Sequence, residues 1–193
     1  MLTDTLRFLV GTLANFFTLV LLLRFYFQLA RVPFNHPLAQ FTVALTNFVV
    51  LPTRRFVPSI GGWDTSTLVL AWLTELLSMG ALLWLSPIPY ALFHPQSLAM
   101  LALLAVLRVF VMSVYLLMGA LVVMAVMSWV NPYNPLAPIL DTLTRPYLRP
   151  FERLRLGQVD LGPLVLLLLL QMLVTIPLAQ LEWFFLSRMQ MLV

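Results

Sequence analysis

Residues 35–55 read NHPLAQFTVALTNFVVLPTRR, and residues 133–153 read YNPLAPILDTLTRPYLRPFER. The two stretches align at a constant offset of 98 positions. Pro37, Leu38 and Ala39 fall on Pro135, Leu136 and Ala137, Leu45 and Thr46 on Leu143 and Thr144, Pro52 on Pro150, and Arg55 on Arg153. With a gap of two residues, Asp64 then meets Asp160, and Leu68, Val69 and Leu70 meet Leu164, Val165 and Leu166. An internal repeat of this length sets the architecture before any single motif does. Function is expected in whatever both copies keep.

Outward from these stretches the chain is apolar. Of its 193 residues 62% are hydrophobic and 9% charged, against roughly 25% charged in a soluble domain. Too few polar groups remain to cover a water-facing surface, so lipid is the expected solvent. The net charge of +4 comes from eleven arginines, with no lysine, against seven acids. That balance fits anionic headgroups. No basic run is interleaved with aromatics, as a nucleic-acid surface needs, so no direct nucleic-acid contact is expected. Cysteine is absent, which excludes disulfides, thiolate metal sites and a cysteine nucleophile.

Four apolar stretches approach the roughly 20 residues that cross a bilayer. The first lies between Arg7 and Arg31, interrupted by Arg24. The second runs from Thr65 to Ser86 around Glu75. The third begins at Arg108 or earlier and ends near Val130. The fourth runs from Leu161 to Leu181 and holds Gln171 and Pro177. Between spans two and three, Pro87, Pro89 and Pro95 break an apolar segment, read as a short loop plus an interfacial or extended helix. Arg24 and Arg31 follow the first run and no small-x-small site closes it, so it reads as a retained span rather than a cleaved signal.

Arginine placement sets the orientation. The loop after span one carries Arg31, Arg54 and Arg55, and the loop after span three carries Arg145, Arg149, Arg153 and Arg155; the other side has Arg7, Arg108 and Arg188. Both long loops are thus expected in the cytoplasm and both termini outside. A duplicated two-span unit keeps its orientation, so the halves should be parallel repeats about an axis along the membrane normal. The expected fold is all-α and integral to the membrane. Four transmembrane helices form two two-helix repeats, residues 1–86 and 107–193, joined by a linker over 87–106 with a short apolar or interfacial segment.

Each connecting loop holds a short helical pattern. Leu38, Phe41, Leu45 and Phe48 recur at spacings of three and four, as do Leu136, Ile139 and Leu143, which aligns them on one face. Gln40, Thr42 and Asn47 lie off that face, as do Asp141, Thr142 and Arg145 in the second copy. Proline opens both patterns, with His36 or Asn134 ahead of it as a cap. The expected form is an amphipathic helix on the cytoplasmic face, with Arg54, Arg55, Arg145, Arg149, Arg153 and Arg155 on lipid phosphates or a partner. A re-entrant segment, or a helix folded onto the end of the bundle, are the other readings of the same pattern. Asp64 and Asp160 precede apolar spans and are expected as helix N-caps.

Arg24, Glu75 and Gln171 are the polar groups at membrane depth. Glu75 lies roughly 16 Å along a helix from Asp64, at 1.5 Å per residue, near the midplane of a core about 30 Å thick. The repeat places Gln171 as its counterpart, so the two are expected to face inward and bond across the interface. Arg24 is the candidate partner for Glu75, or snorkels outward to phosphate. Intramembrane ionisable groups default to a functional reading; a structural polar contact is the plainer one. Glu182, beside Trp183, reads as an interfacial residue. No glycine-rich phosphate loop, HExxH or GxSxG occurs, and His36 and His94 fall on opposite sides. Neither an enzyme, a cofactor nor a metal is expected.

The span ending LLLRFYFQ (residues 21–28), the loop with NHPLAQF and LPTRRFVPSIGGWD, and the second copy, VMAVMSWVNPYNPL with TRPYLRPFERLRLGQVDLGPLVLLLLL, resemble the YggT/YlmG family of small integral membrane proteins. The likeness covers almost the whole chain as two tandem units. It implies a non-enzymatic protein of the cell inner membrane, linked to osmotic tolerance or ion homeostasis, to division or nucleoid organisation, and in plastids to cytochrome assembly. It carries over no catalytic residue. The family-like positions are Arg24, Pro37, Pro52, Arg55, Asp64, Pro135, Pro150, Arg153 and Asp160. Two departures stand out: Met124 takes the place of Arg24 in the second unit, which also lacks the Gly61–Gly62 pair. The expectation is a scaffold or organiser at the cytoplasmic face that contacts anionic lipids and a protein partner, with homo-oligomers in view. The rivals are a small ion channel or transporter component and an assembly factor for a membrane complex.

Overall fold

The structure, a computed structural model, describes residues 1–32, 36–59, 62–130, 136–151, 155–156 and 159–191. Among these residues the α-helices are α1 (Leu2–Leu29), α2 (Pro37–Thr53), α3 (Thr65–Trp84), α4 (Pro95–Val130), α5 (Ala137–Leu148), α6 (Gly162–Leu173) and α7 (Ala179–Gln190). A 3-10 turn, Arg149–Phe151, follows α5, and a minimal antiparallel ladder pairs β1 (Arg155–Leu156) with β2 (Val159–Asp160). Four helical stretches are long and apolar enough to cross a membrane: Leu2–Leu29, Thr65–Trp84, Pro95–Ser128 and Gly162–Gln190. In the last of these, α6 passes into α7 through a π-helical stretch, Val174–Leu178, that contains Pro177. Proline has no N–H to donate and crowds the preceding turn; a wider turn absorbs both defects, and the helix continues.

Of the two readings of the segment before Arg108, the extended helix leading into span three is the one observed. Residues 95–106, expected in the linker, are the first turns of α4, which leaves residues 85–94 as the loop. The reason lies in His94. Its Nδ1 accepts the Gln96 N–H at 3.3 Å and its carbonyl accepts from Leu98. Pro95 therefore occupies the first helical position, where a missing N–H costs nothing. His36 and Pro37 open α2 in the same way, with His36 Nδ1 accepting the Leu38 N–H at 3.3 Å.

The end of α1 decides where α2 goes. Arg31 is left-handed, at φ 53°. The Val32 N–H bonds the Phe27 carbonyl at 2.9 Å and the Arg31 N–H bonds that of Gln28 at 3.1 Å. These paired bonds form a Schellman motif, and its accompanying apolar contact is present: Val32 and Phe27 are both buried in one cluster. The turn sends α2 back along α1. Ala39 shares the cluster of Phe27, Thr46 meets Arg24, and the ring of Phe48 lies 6.0 Å from that of Phe17. Phe17 is roughly 15 Å before Phe27 at the rise of an α-helix, so α2 inclines back against α1 rather than standing clear of it.

Three apolar clusters hold the bundle. Leu21, Leu22, Val50, Ala71 and Met112 join α1 to α4. Met79, Leu83, Leu101, Leu104 and Met189 join α3, α4 and α7. Phe27, Val32, Ala39 and Ile139 bring both connecting helices, α2 and α5, to the same end of α1. The most extensive helix pair is α1 with α3. The buried stripe of α3 includes Ser66, Thr67, Ala71, Glu75 and Ser78, and small residues of this kind let helices approach closely where lipid supplies no hydrophobic drive.

Candidate functional site

The buried stripe of α2 is Ala39, Thr42, Thr46 and Val50, a helical spacing that aligns them on one face. Phe41 and Phe48 are 50% and 71% exposed, and the threonine face turns inward instead. The cause is Arg24, which is 5% exposed. A guanidinium taken out of water needs hydrogen-bond acceptors, and α2 provides them. Arg24 Nη1 donates to Thr46 Oγ1 at 2.6 Å and to Asn47 Oδ1 at 2.9 Å. Thr46 in turn donates to the Thr42 carbonyl at 2.6 Å. Phenylalanines facing outward are at no disadvantage where the surroundings are hydrocarbon. In α5, Ile139 and Thr144 are buried and Asp141, Thr142 and Arg145 are exposed.

Arg24 therefore does not meet Glu75, its candidate partner. Asp64 lies within electrostatic range of its charge but is engaged elsewhere. Asp64 holds Arg54 in an ion pair at 2.5 Å and accepts a hydrogen bond from the Ser66 hydroxyl. It occupies the N-cap position of α3 yet makes no side-chain bond to the helix backbone, so the expected cap is an ion-pair anchor instead. Burial disfavours the charged form of Asp64, but the bonds from Arg54 and Ser66 and the Arg54 charge outweigh it. They hold the carboxyl below its ordinary value.

Arg24, Gln28, Gln40, Val43, Asn47, Leu51 and Arg54 line an open groove of about 370 Å³ between α1 and α2. Two guanidinium groups and three amides converge there, and no carboxylate does. Of the loop arginines, Arg54 is thus half committed to Asp64, at 40% side-chain exposure. Arg55, Arg145 and Arg149 are exposed. Arg153 lies outside the described residues, with Pro135, Asn134 and Gly61; the side chains of Arg155 and Asp160 do too. The α6 N-cap is Leu161, one residue beyond the expected Asp160.

Glu75 and Gln171 are not a pair. Gln171 is exposed and bonds within its own helix, to Thr175 Oγ1 at 3.3 Å. The repeat register aligns the two positions in sequence, but α6 packs with Gln171 on an exposed face. Glu75 is 1% exposed. Thr18 faces it from α1, with Arg108 and Glu182 in electrostatic range, but among the described residues Glu75 Oε1 and Thr18 Oγ1 close no well-formed hydrogen bond. Arg108 Nη1 lies 3.5 Å from Glu182 Oε1, across α4 and α7. The sequence reading named Thr46 as a repeated position and Asn47 on the polar side of its helix without joining either to Arg24, and it missed Gln28, Ser66 and the Arg108–Glu182 pair.

A family model described as CCB3/YggT matches the chain twice, over residues 3–85 and 100–181. The chain is similar to uncharacterized protein YggT of Escherichia coli K12, 36% identical over 74 residues, which is 38% of this chain and 39% of that protein. It is similar to uncharacterized protein PA0392 of Pseudomonas aeruginosa, 43% identical over 68 residues, or 35% of this chain and 34% of that protein. A Vibrio alginolyticus protein, described as uncharacterized in the proC 3′ region, is 35% identical over 80 residues, 42% of this chain and 43% of its own. The chain spans about two-fifths of the length of the curated relatives it matches. No solved structure matches it.

Proposed function

This chain belongs to the CCB3/YggT family, and from that premise we propose that it is a non-catalytic scaffold of the cell inner membrane. Its two connectors present exposed arginines at the cytoplasmic face, where anionic lipids and a protein partner dock. The observation that supports this is the shared cluster of Phe27, Ala39 and Ile139, which brings α2 and α5 to one end of the bundle. Arg55, Arg145 and Arg149 extend from those connectors. Osmotic tolerance and division or nucleoid organisation are the cell-level roles we assign to that scaffold. The test is the triple variant Arg55→Gln, Arg145→Gln, Arg149→Gln, with crosslinking capture in native membranes. A captured cytoplasmic or membrane partner that the variant loses supports the scaffold. A variant that keeps its partners, its localisation and its phenotype sinks it.

A second reading, a small ion-handling component, is favoured by one feature: the buried Glu75 carboxylate with an Oε1 left without a hydrogen bond among the described residues. Buried acids of this kind mark ion or proton paths in membrane proteins. Flux across a reconstituted bilayer that Glu75→Gln abolishes would establish it; a protein that passes no ion removes it.

A further inference from the structure

We propose that the groove between α1 and α2 binds the phosphate of an anionic phospholipid, with Arg24 as its principal ligand. Three observations converge. Arg24 is buried and, among the described residues, has no carboxylate within ion-pair distance. It gives Nη1 to Thr46 and Asn47, and those are its only hydrogen bonds there. The groove it borders carries Arg54, Gln28, Gln40 and Asn47, all of which bring N–H donors.

The charge balance gives the ligand its sign. Arg24, Arg54 and Asp64 sum to a single positive charge in a partly enclosed site. An uncompensated buried charge is strongly unfavourable, and no carboxylate of the described chain compensates this one at bonding distance. A planar guanidinium with two free donor positions matches a tetrahedral phosphate in a two-pronged arrangement. The amides add donors that tolerate no particular charge, which suits a diester with one formal negative charge. The exposed rings of Phe41 and Phe48 and the exposed Leu51, on the same helix, give acyl chains an apolar surface beside the headgroup. That last feature selects a lipid over free phosphate.

The second repeat sharpens the assignment. Met124 stands where Arg24 stands, and Thr144 contacts its sulfur at 3.5 Å. The same threonine position thus serves a cation in one unit and a thioether in the other. A strictly structural role for the contact needs no charge, so the charge in the first unit answers to something else. One lipid per chain, held in the first repeat, follows.

The proposal rests on the membrane reading but not on the scaffold reading, and its variants leave Arg55, Arg145 and Arg149 intact. The experiment is native mass spectrometry of the detergent-purified protein titrated with phosphatidylglycerol, phosphatidylcholine or inorganic phosphate. One phosphatidylglycerol is expected to be retained per chain, and Arg24→Met, which installs the second repeat's residue, should weaken it by about tenfold or more. Gln28→Ala with Gln40→Ala, which leaves the buried charge and its Thr46 contact in place, should weaken it severalfold and reads the site even if Arg24→Met does not fold. Undiminished phosphatidylglycerol retention in the Gln28/Gln40 variant overturns the site, as does undiminished retention in a folded Arg24→Met protein. Inorganic phosphate that displaces the lipid at equal concentration, or phosphatidylcholine that binds equally well, overturns its identity as an anionic lipid site.

Discussion

Thr144 brings its hydroxyl to 3.5 Å from the sulfur of Met124, in the place where Thr46 takes a 2.6 Å hydrogen bond from Arg24. Both threonines also donate back to the carbonyl four residues earlier, at 2.6 Å for Thr46 and 2.8 Å for Thr144. The two repeats therefore keep one contact geometry and change its chemistry. Thr46→Val leaves a buried guanidinium short of an acceptor, a loss of about 1–3 kcal/mol, whereas Thr144→Val removes a weak sulfur contact and a back-bond of the kind Thr46→Val also loses, and strands no charge, so it should cost under about 1 kcal/mol. Unfolding of the two variants in the same detergent compares them directly. Equal losses would show that Arg24 does not depend on α2.

Asp64 gives the fold an acid limit. Its carboxyl titrates below the ordinary 3.8 in the folded chain. Below that ordinary value the unfolded chain takes up the proton first, so in this window the unfolded state binds more protons and stability rises with pH. The Asp64 contribution is complete above about pH 4 and is lost as pH falls through the folded value. Asp64→Asn should lower stability at pH 7, because it leaves Arg54 without its counter-ion, and should flatten the acid limb. Melting curves between pH 2 and 6 test both, roughly the range that brackets the carboxylate reference values. A variant with the parent's slope would place the acid sensitivity elsewhere.

Arg31 holds a conformation that side chains other than glycine's adopt at a penalty. Its φ of 53° lies in the left-handed region, where the turn out of α1 requires it. Arg31→Gly removes the Cβ crowding and should stabilise the chain by up to about 1 kcal/mol, less the backbone entropy glycine loses on folding. An unchanged or lower melting temperature would mean that the arginine side chain supports the turn through contacts that offset the strain.

The repeat, the four apolar spans and the connector helices were legible in the sequence because each is a matter of periodicity and spacing. What escaped was direction. The apolar stripe of Leu38, Phe41, Leu45 and Phe48 fits a lipid-facing surface or a contact with the bundle equally well, since exposing it costs free energy only in water. In lipid that penalty disappears, and the hydrogen-bond demand of Arg24 decides which face of α2 turns inward. The Glu75–Gln171 pairing rested on repeat register alone, which aligns positions in sequence without fixing how each helix packs, and Gln171 is exposed. Pro95 left the interfacial and extended-helix readings both open, because a proline at a helix start and one in a break look alike until the His94 cap is seen.

The convergence of α2 and α5 on one end of α1 makes a prediction about sidedness that this chain suits unusually well. It contains no cysteine, so a single introduced thiol reports one position without background. Ile139 and Ala39 share a buried cluster with Phe27, and a cluster of that kind cannot be assembled from opposite leaflets, because the hydrocarbon core is about 30 Å thick. Thiols placed at Arg55 and at Arg145, both exposed, should therefore react with a membrane-impermeant maleimide from the same compartment. Seven arginines on the connector side against three on the other lead us to expect that compartment to be the cytoplasm. In intact cells both positions should stay unlabelled, and in inverted vesicles both should label. Labelling of one in cells and the other in vesicles would separate the connectors. The shared cluster and the parallel arrangement of the repeats would then both be lost.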